Sequence, residues 1–275
     1  MIFGNLSYVE VIKMKFYTWC NNTDNHNYVR LKDSANMNGI TIEHIGEGRD
    51  IHEGGQCNGK SIWLYEKVCE LDENEIVVCT DAFDVIYLTS ANEIKQKFLK
   101  MNAKIVYSAE HRYAHQSPEF RSFFNEMAKN KHFKYLCAGV MMGYAKNIKE
   151  MFEVIFTYDY SNPHEVDDQK FIGKYIYENS DKIKLDYDCE IFWTDFDFTY
   201  PDPYSRYLKR RKRLRKLFKN EECLLDKLNS VIKHDRMYNK ITKTYPCFFH
   251  AAGADARMLE ALINLIKNNK KDKVL

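Results

Sequence analysis

The run Glu75-Ile-Val-Val-Cys-Thr80, closed by Asp81-Ala-Phe-Asp84, constrains the fold of this chain more than any other segment. A strand with one wet face alternates apolar and polar residues. A strand that is apolar throughout is covered on both faces, as in parallel sheets sandwiched between helices. The flanking segments agree. Lys15 to Cys20 reads as a short strand, Tyr28 to Asn36 as a helix, and Gly39 to Ile45 as a second strand. A glycine-rich loop, Gly46 to Gly59, leads to a helix over Lys60 to Glu70 carrying Ile62, Trp63, Tyr65 and Val68. A helix over Ala91 to Lys100 and a strand over Lys104 to Ser108 follow. Strands alternating with helices at this spacing predict a Rossmann-like first half, to about residue 110.

The second half is less regular. Tyr135 to Gly143 is apolar and punctuated by glycine, Asp167 to Glu178 reads as helix, and Ile183 to Asp188 suggests a strand. Leu208 to Asp235 reads as a long basic helical region, His250 ends another apolar run, and Met258 to Lys267 forms an amphipathic helix. No internal repeat and no linker interrupts the chain. The expectation is one α/β domain over 15–275, a mixed sheet flanked by helices, preceded by an extension over 1–14. Within it, 15–110 would form the nucleotide-binding half and 111–275 the irregular half.

Composition excludes several classes. Aromatic residues make up 14 % of the 275, which argues against disorder. A net charge of +2 gives no global case for a nucleic-acid or membrane-surface protein. No run of about 18 apolar residues is present, so no transmembrane helix is predicted. Eight cysteines occur without any C-x-x-C spacing, which argues against zinc-ribbon and thioredoxin chemistry. Reduced, buried thiols are the preferred reading.

Five places carry possible chemistry. Asp81 and Asp84 stand where ligands bind in open α/β sheets, at the carboxyl end of a buried strand. Two carboxylates on one turn can hold a hard divalent cation, or can instead cap the following segment and satisfy the loop backbone. His250 can offer a metal nitrogen or be a buried histidine with a satisfied hydrogen bond. Gly54-Gly55-Gln56 with Lys60 can receive phosphate at a helix start. Asp167 and Asp168 either favour the dipole of their helix or face an acceptor hydroxyl as a general base. Lys209 to Lys219 holds eight Lys or Arg in eleven residues and reads as a solvated helix face, with nucleic acid or anionic membrane as the alternative partner.

Together these segments resemble the glycosyltransferase domain of the multifunctional procollagen lysyl hydroxylases and their viral relatives. The resemblance runs from about Lys15 to about Ile266. It rests on Gly54-Gly-Gln56 with Lys60 and Trp63, on Ile76 to Ile86, and on Ser108-Ala-Glu110. It continues through Tyr135 to Gly139 with Gly143, Asp167-Asp-Gln169, Leu185-Asp186 with Ile191-Phe192, and His250 with Gly253. It implies a GT-A-type fold and a hexose transferred from a UDP-sugar with Mn2+. Asp81, Asp84 and His250 would be the metal ligands. Lys60 would meet the diphosphate, Phe83 would stack near the uracil, and Thr18 would line the nucleotide pocket. Tyr113 would stand in for a tryptophan expected after Glu110, with Asp168 and Asp167 as the candidate bases. The implied acceptor is hydroxylysine or galactosyl-hydroxylysine of a collagen-like protein.

Four places depart from the family pattern. Ala251-Ala252 replaces Gly-Asn, Cys137-Ala-Gly-Val140 replaces Asn-Ser-Gly-Gly, the tryptophan after Glu110 is missing, and the acidic tract around Asp167 is shorter. The nucleotide and metal half is therefore intact, while the sugar and acceptor half has drifted. The competing expectation is a module that keeps UDP-sugar and metal without transfer. A stand-alone transferase lacking hydroxylase activity is expected. So is a cytoplasmic location, because Glu10 and Lys13 break any signal-peptide core. A composition rich in Asn, Lys, Ile and Tyr fits the AT-rich genome of a virus.

Overall fold

The computed structural model describes residues 12–52, 59–113, 118–158, 168–195, 221–252 and 256–271. No helix among them is long and apolar enough to cross a membrane. Cys20, Cys69, Cys79, Cys137, Cys189 and Cys247 are free thiols. Gly54 to Gln56, Asp167, Lys209 to Lys219 and Gly253 lie outside the described residues.

The chain begins β1 (Met14–Trp19), α1 (His26–Asn36), β2 (Glu43–Ile45), α2 (Gly59–Val68), β3 (Ile76–Asp81) and β4 (Val85–Tyr87). It continues α3 (Ala91–Met101), β5 (Ile105–Glu110), a 3-10 turn at Pro118–Phe120, α4 (Arg121–Met127), β6 (Tyr135–Tyr144) and α5 (Ala145–Ile155). Then come α6 (Asp168–Glu178), β7 (Ile183–Asp186), β8 (Phe192–Thr194) and α7 (Glu221–Asn229). A hairpin of β9 (Ile232–Lys233) and β10 (Arg236–Met237), β11 (Phe248–His250) and α8 (Ala256–Lys271) complete it.

Six strands form the main sheet in the order β2-β1-β3-β6-β5-β7. β1 runs parallel to β2 and to β3, whereas β6 is antiparallel to both its neighbours, β3 and β5. The expected mixed sheet flanked by helices is therefore present. The apolar run of β3 is explained by its two covered faces. Val77 and Cys79 enter one hydrophobic layer, with Trp63 and Leu64 of α2 and Ile148 and Phe152 of α5. Ile76 and Val78 enter the other, with Leu31 of α1 and Phe98 of α3. The side-chain period of two divides one apolar run between two cores.

A second sheet, β4-β11-β8, sits beside the first. Asp186 braces the two. Its carboxylate accepts the amides of Glu190 (3.0 Å), Ile191 (2.7 Å) and Phe192 (2.8 Å) just where β8 begins.

Local boundaries differ most from the sequence reading in two places. Only Glu43–Ile45 of the predicted second strand pairs with β1. The basic helix predicted to reach Asp235 ends at Asn229. His234 and Asp235 take left-handed φ values of 52° and 59°, and the chain turns into the β9–β10 hairpin there.

Candidate active site

β3 delivers Asp81 as its last residue, and the turn after it delivers Asp84. His250 arrives from far along the chain, at the end of β11. It is carried there because β11 pairs antiparallel with β4, with His250 opposite Val85. The Ala251 amide then donates to the Asp84 carbonyl at 2.8 Å, stitching the two turns together. His250 Nε2 lies 3.3 Å from Asp84 Oδ1 and 3.8 Å from Asp81 Oδ2. One ligand atom from each of the three falls within 4.8 Å of the others, and no other such group of His, Cys, Asp or Glu occurs among the described residues.

The space for this cluster depends on Gly139 in β6. A Cβ there would lie 2.4 Å from His250 Cε1 and 2.6 Å from Asp81 Oδ2. On the far side of the imidazole, Nδ1 lies 3.4 Å from Cys137 Sγ and 3.4 Å from Thr194 Oγ1. Such contacts fix a ring while its other nitrogen faces a ligand. Burial pushes His250 toward the neutral form, but the Asp84 carboxylate and Cys137 outweigh it and hold the imidazole well above its ordinary range.

Lys60, at the start of α2, places Nζ 2.6 Å from Asp81 Oδ1 and 3.8 Å from Asp168 Oδ2. Burial would discharge it, yet Asp81 and Asp168 together raise its pKa and keep it charged. Its carbonyl accepts the Trp19 indole N–H at 2.9 Å, and Nζ lies 5.6 Å from the Trp19 ring centroid. Asp168 opens α6, and its Oδ1 accepts the Gln169 amide at 2.8 Å. Gln169 Oε1 in turn accepts the Ala138 amide of β6 at 3.0 Å, anchoring that helix start beside the cluster.

A cavity of about 370 Å³ opens on this group. Asp81, Asp84 and Lys60 are in its wall, together with Trp19, Trp63 and Phe83. Gly46, at φ +95°, makes the Trp63 position possible, since a Cβ there would fall 2.1 Å from the indole.

Five of the residues singled out from the sequence therefore come together: Asp81, Asp84, His250, Lys60 and Asp168. Phe83 joins Asp81, Asp84 and Lys60 in the cavity wall, whereas His250 and Asp168 do not line it. Thr18 does not line the cavity. It is fully buried, and its hydroxyl donates to the Thr80 carbonyl at 2.9 Å. In a strand, neighbours point to opposite faces, so the adjacent Trp19 reaches the cavity instead. Tyr113 packs edge-on against Tyr135, with ring centroids 5.1 Å apart, and is not in the cavity wall. Sequence reasoning passed over Asn27 of α1, whose neighbours carry no motif, and gave Trp63, an anchor of the resemblance on an apolar helix face, no role in the site.

An acidic pair, an imidazole and a lysine at the carboxyl edge of a mixed sheet form a cluster that could hold a metal ion, and the comparisons with known proteins specify the class. The family model described as PLOD GT domain matches residues 13–198. The chain belongs to that family of glycosyltransferase domains. His250 lies beyond the matched residues, so the model does not account for this ligand position.

An uncharacterized protein, R699, of Acanthamoeba polyphaga mimivirus is 24 % identical over 249 residues, covering 90 % of this chain and 44 % of that protein. Human procollagen-lysine,2-oxoglutarate 5-dioxygenase 2 is 27 % identical over 176 residues, covering 60 % of this chain and 23 % of that protein. The Drosophila melanogaster enzyme of that name is 28 % identical over 168 residues, covering 58 % and 22 %. The chain thus spans under half the length of these relatives. Among solved structures, apo mouse xyloside xylosyltransferase 1 aligns over 70 % of this chain and 62 % of its own, with 12 % identity and a TM-score of 0.36.

Proposed function

We propose that this glycosyltransferase domain moves a hexose from a UDP-sugar to an acceptor hydroxyl, with Mn2+ held by Asp81, Asp84 and His250. The observation that carries the reading is the convergence of those three side chains within 4.8 Å, beside a charged lysine and a cavity of about 370 Å³. The donor set fits the ion. Two carboxylates with one imidazole suit Mn2+ better than Ca2+, which prefers oxygen alone. When bound there, the ion supplies stabilisation of the negative charge that builds on the departing diphosphate.

The protein's own groups do the rest. Lys60, kept charged by Asp81 and Asp168, adds positive charge for the diphosphate. Trp19, Trp63 and Phe83 give the base and sugar an apolar wall. Asp168, aimed by its helix start, accepts the proton of the acceptor hydroxyl, and Asp167 is the neighbouring candidate for that role. The acceptor we infer is hydroxylysine or galactosyl-hydroxylysine of a collagen-like protein, a reading supported by the names of the procollagen-lysine relatives. Ala251 and Ala252 put no polar side chain beside His250, and this favours a second reading, a module that binds UDP-sugar and metal without transfer.

The test is a thermal-shift and transfer panel of UDP, UDP-glucose, UDP-galactose and UDP-N-acetylglucosamine with and without Mn2+. A ligand bound only by the native state raises the melting temperature. The expected result is a Mn2+-dependent shift and sugar transfer, with transfer falling about a hundredfold or more in Asp84→Asn and His250→Ala. A shift without transfer to any acceptor would select the binding module. Unchanged Mn2+-dependent turnover in both variants would remove the metal assignment.

A further inference from the structure

Asn27 of α1 and Asn21, which follows β1, also line the cavity beside Asp81, together with Phe83. Asn27 is held in one orientation. Arg30, 8 % exposed, donates from Nη1 to Asn27 Oδ1 at 2.9 Å and from Nη2 to the Phe83 carbonyl at 2.6 Å. A guanidinium carries donors only, so the Asn27 atom facing it is the oxygen and the amide cannot turn over without losing that bond. The Asn27 backbone N–H is occupied by Asn25 Oδ1 at 2.9 Å. Among the described residues no acceptor meets Asn27 Nδ2. One buried arginine thus ties the helix that carries the amide to the turn that carries Phe83 and Asp84.

We propose that Asn27, positioned by Arg30, reads the edge of the nucleobase in this cavity and selects a base presenting a carbonyl oxygen over one presenting an amino group. The inference rests on the UDP-sugar reading above and goes beyond it by naming what makes the donor a uridine nucleotide. Nδ2 offers only hydrogens. Uracil answers them with the oxygen at its 4-position, whereas cytosine brings an amino group and sets donor against donor. A site built to hydrogen-bond one partner rejects the analogue that cannot, because a polar group is left unpaired.

Titration calorimetry with UDP and CDP in the presence of Mn2+ tests this on the full chain. The wild type is expected to bind UDP about tenfold or more tighter than CDP. Asn27→Asp keeps an oxygen for Arg30, and an acid suits the first turn of a helix, so the variant folds. It turns an acceptor toward the base, and the UDP:CDP ratio is expected to fall to about one or to invert. Arg30→Lys retains the charge without the fork, and its ratio is expected to fall part of the way. Binding of both nucleotides by Asn27→Asp with the wild-type ratio would overturn the proposal and leave the transferase reading standing. Equal binding of UDP and CDP by the wild type would do the same. Failure of the wild type to bind either nucleotide would overturn both.

Discussion

At the scale of single residues, the site depends as much on an atom that is missing as on those present. Gly139 offers no ligand, yet a Cβ there would strike His250 and Asp81 together, and neither can move far. His250 is 3 % exposed and pinned behind its ring by Cys137 and Thr194, while Asp81 is tied to Lys60. Gly139→Ala is therefore expected to cost about 1–3 kcal/mol of stability through overpacking. It should also abolish the Mn2+-dependent thermal shift in the fraction that still folds. An unaltered shift would show that the three donors reach their ion by a different arrangement. The same reasoning separates Thr18 from Trp19. Adjacent positions in one strand face opposite ways, and Thr18 spends its hydroxyl on the sheet.

At the scale of elements, Asp186 braces β8, the strand that flanks β11 and His250. It ends β7, and through three backbone amides it sets where β8 starts. β8 runs parallel to β11, with Thr194 opposite His250. Asp186→Ala leaves two buried N–H groups and a half-buried one without their acceptor, and a loss of about 3 kcal/mol or more is expected in denaturant unfolding. Burial lifts the Asp186 carboxyl to about 6, even against those three amide bonds. That lies above the value of about 3.9 in an unfolded chain, so the folded protein holds the proton more tightly. The stabilising contribution of this group is complete below about pH 4 and is lost as pH rises through about 6. Subtracting the melting profile of Asp186→Asn from that of the wild type should isolate this slope, and a flat difference would contradict it.

At the scale of the whole molecule, stability should follow the sheet hierarchy. β6 is ten residues long, buried along nearly its whole length and paired on both sides. The β9–β10 hairpin pairs two residues with two and joins no other strand among the described residues. Amide hydrogen exchange is expected to be slowest in β3, β5 and β6 and fastest in the hairpin, because local opening needs few buried contacts to be broken there. Equal protection in the hairpin and in β6 would show that the hairpin opens only with the whole domain.

Much of this architecture was legible in the sequence. The apolar run Ile76 to Cys79 announced a strand covered on both faces, because a side-chain period of two cannot bury every residue of a one-sided strand. The polar stop at Asp81 and Asp84 marked the end of the sheet at which ligands bind, and the helices α2 and α3 followed from local periodicity. Distant pairing was not legible. That β6 runs antiparallel between β3 and β5, that β11 brings His250 to Asp84, and that Arg30 ties α1 to the Phe83 carbonyl depend on contacts between residues far apart in the chain. Periodicity fixes which face of an element is apolar. Which other element covers that face, and in what register, is set by the packing of the whole molecule.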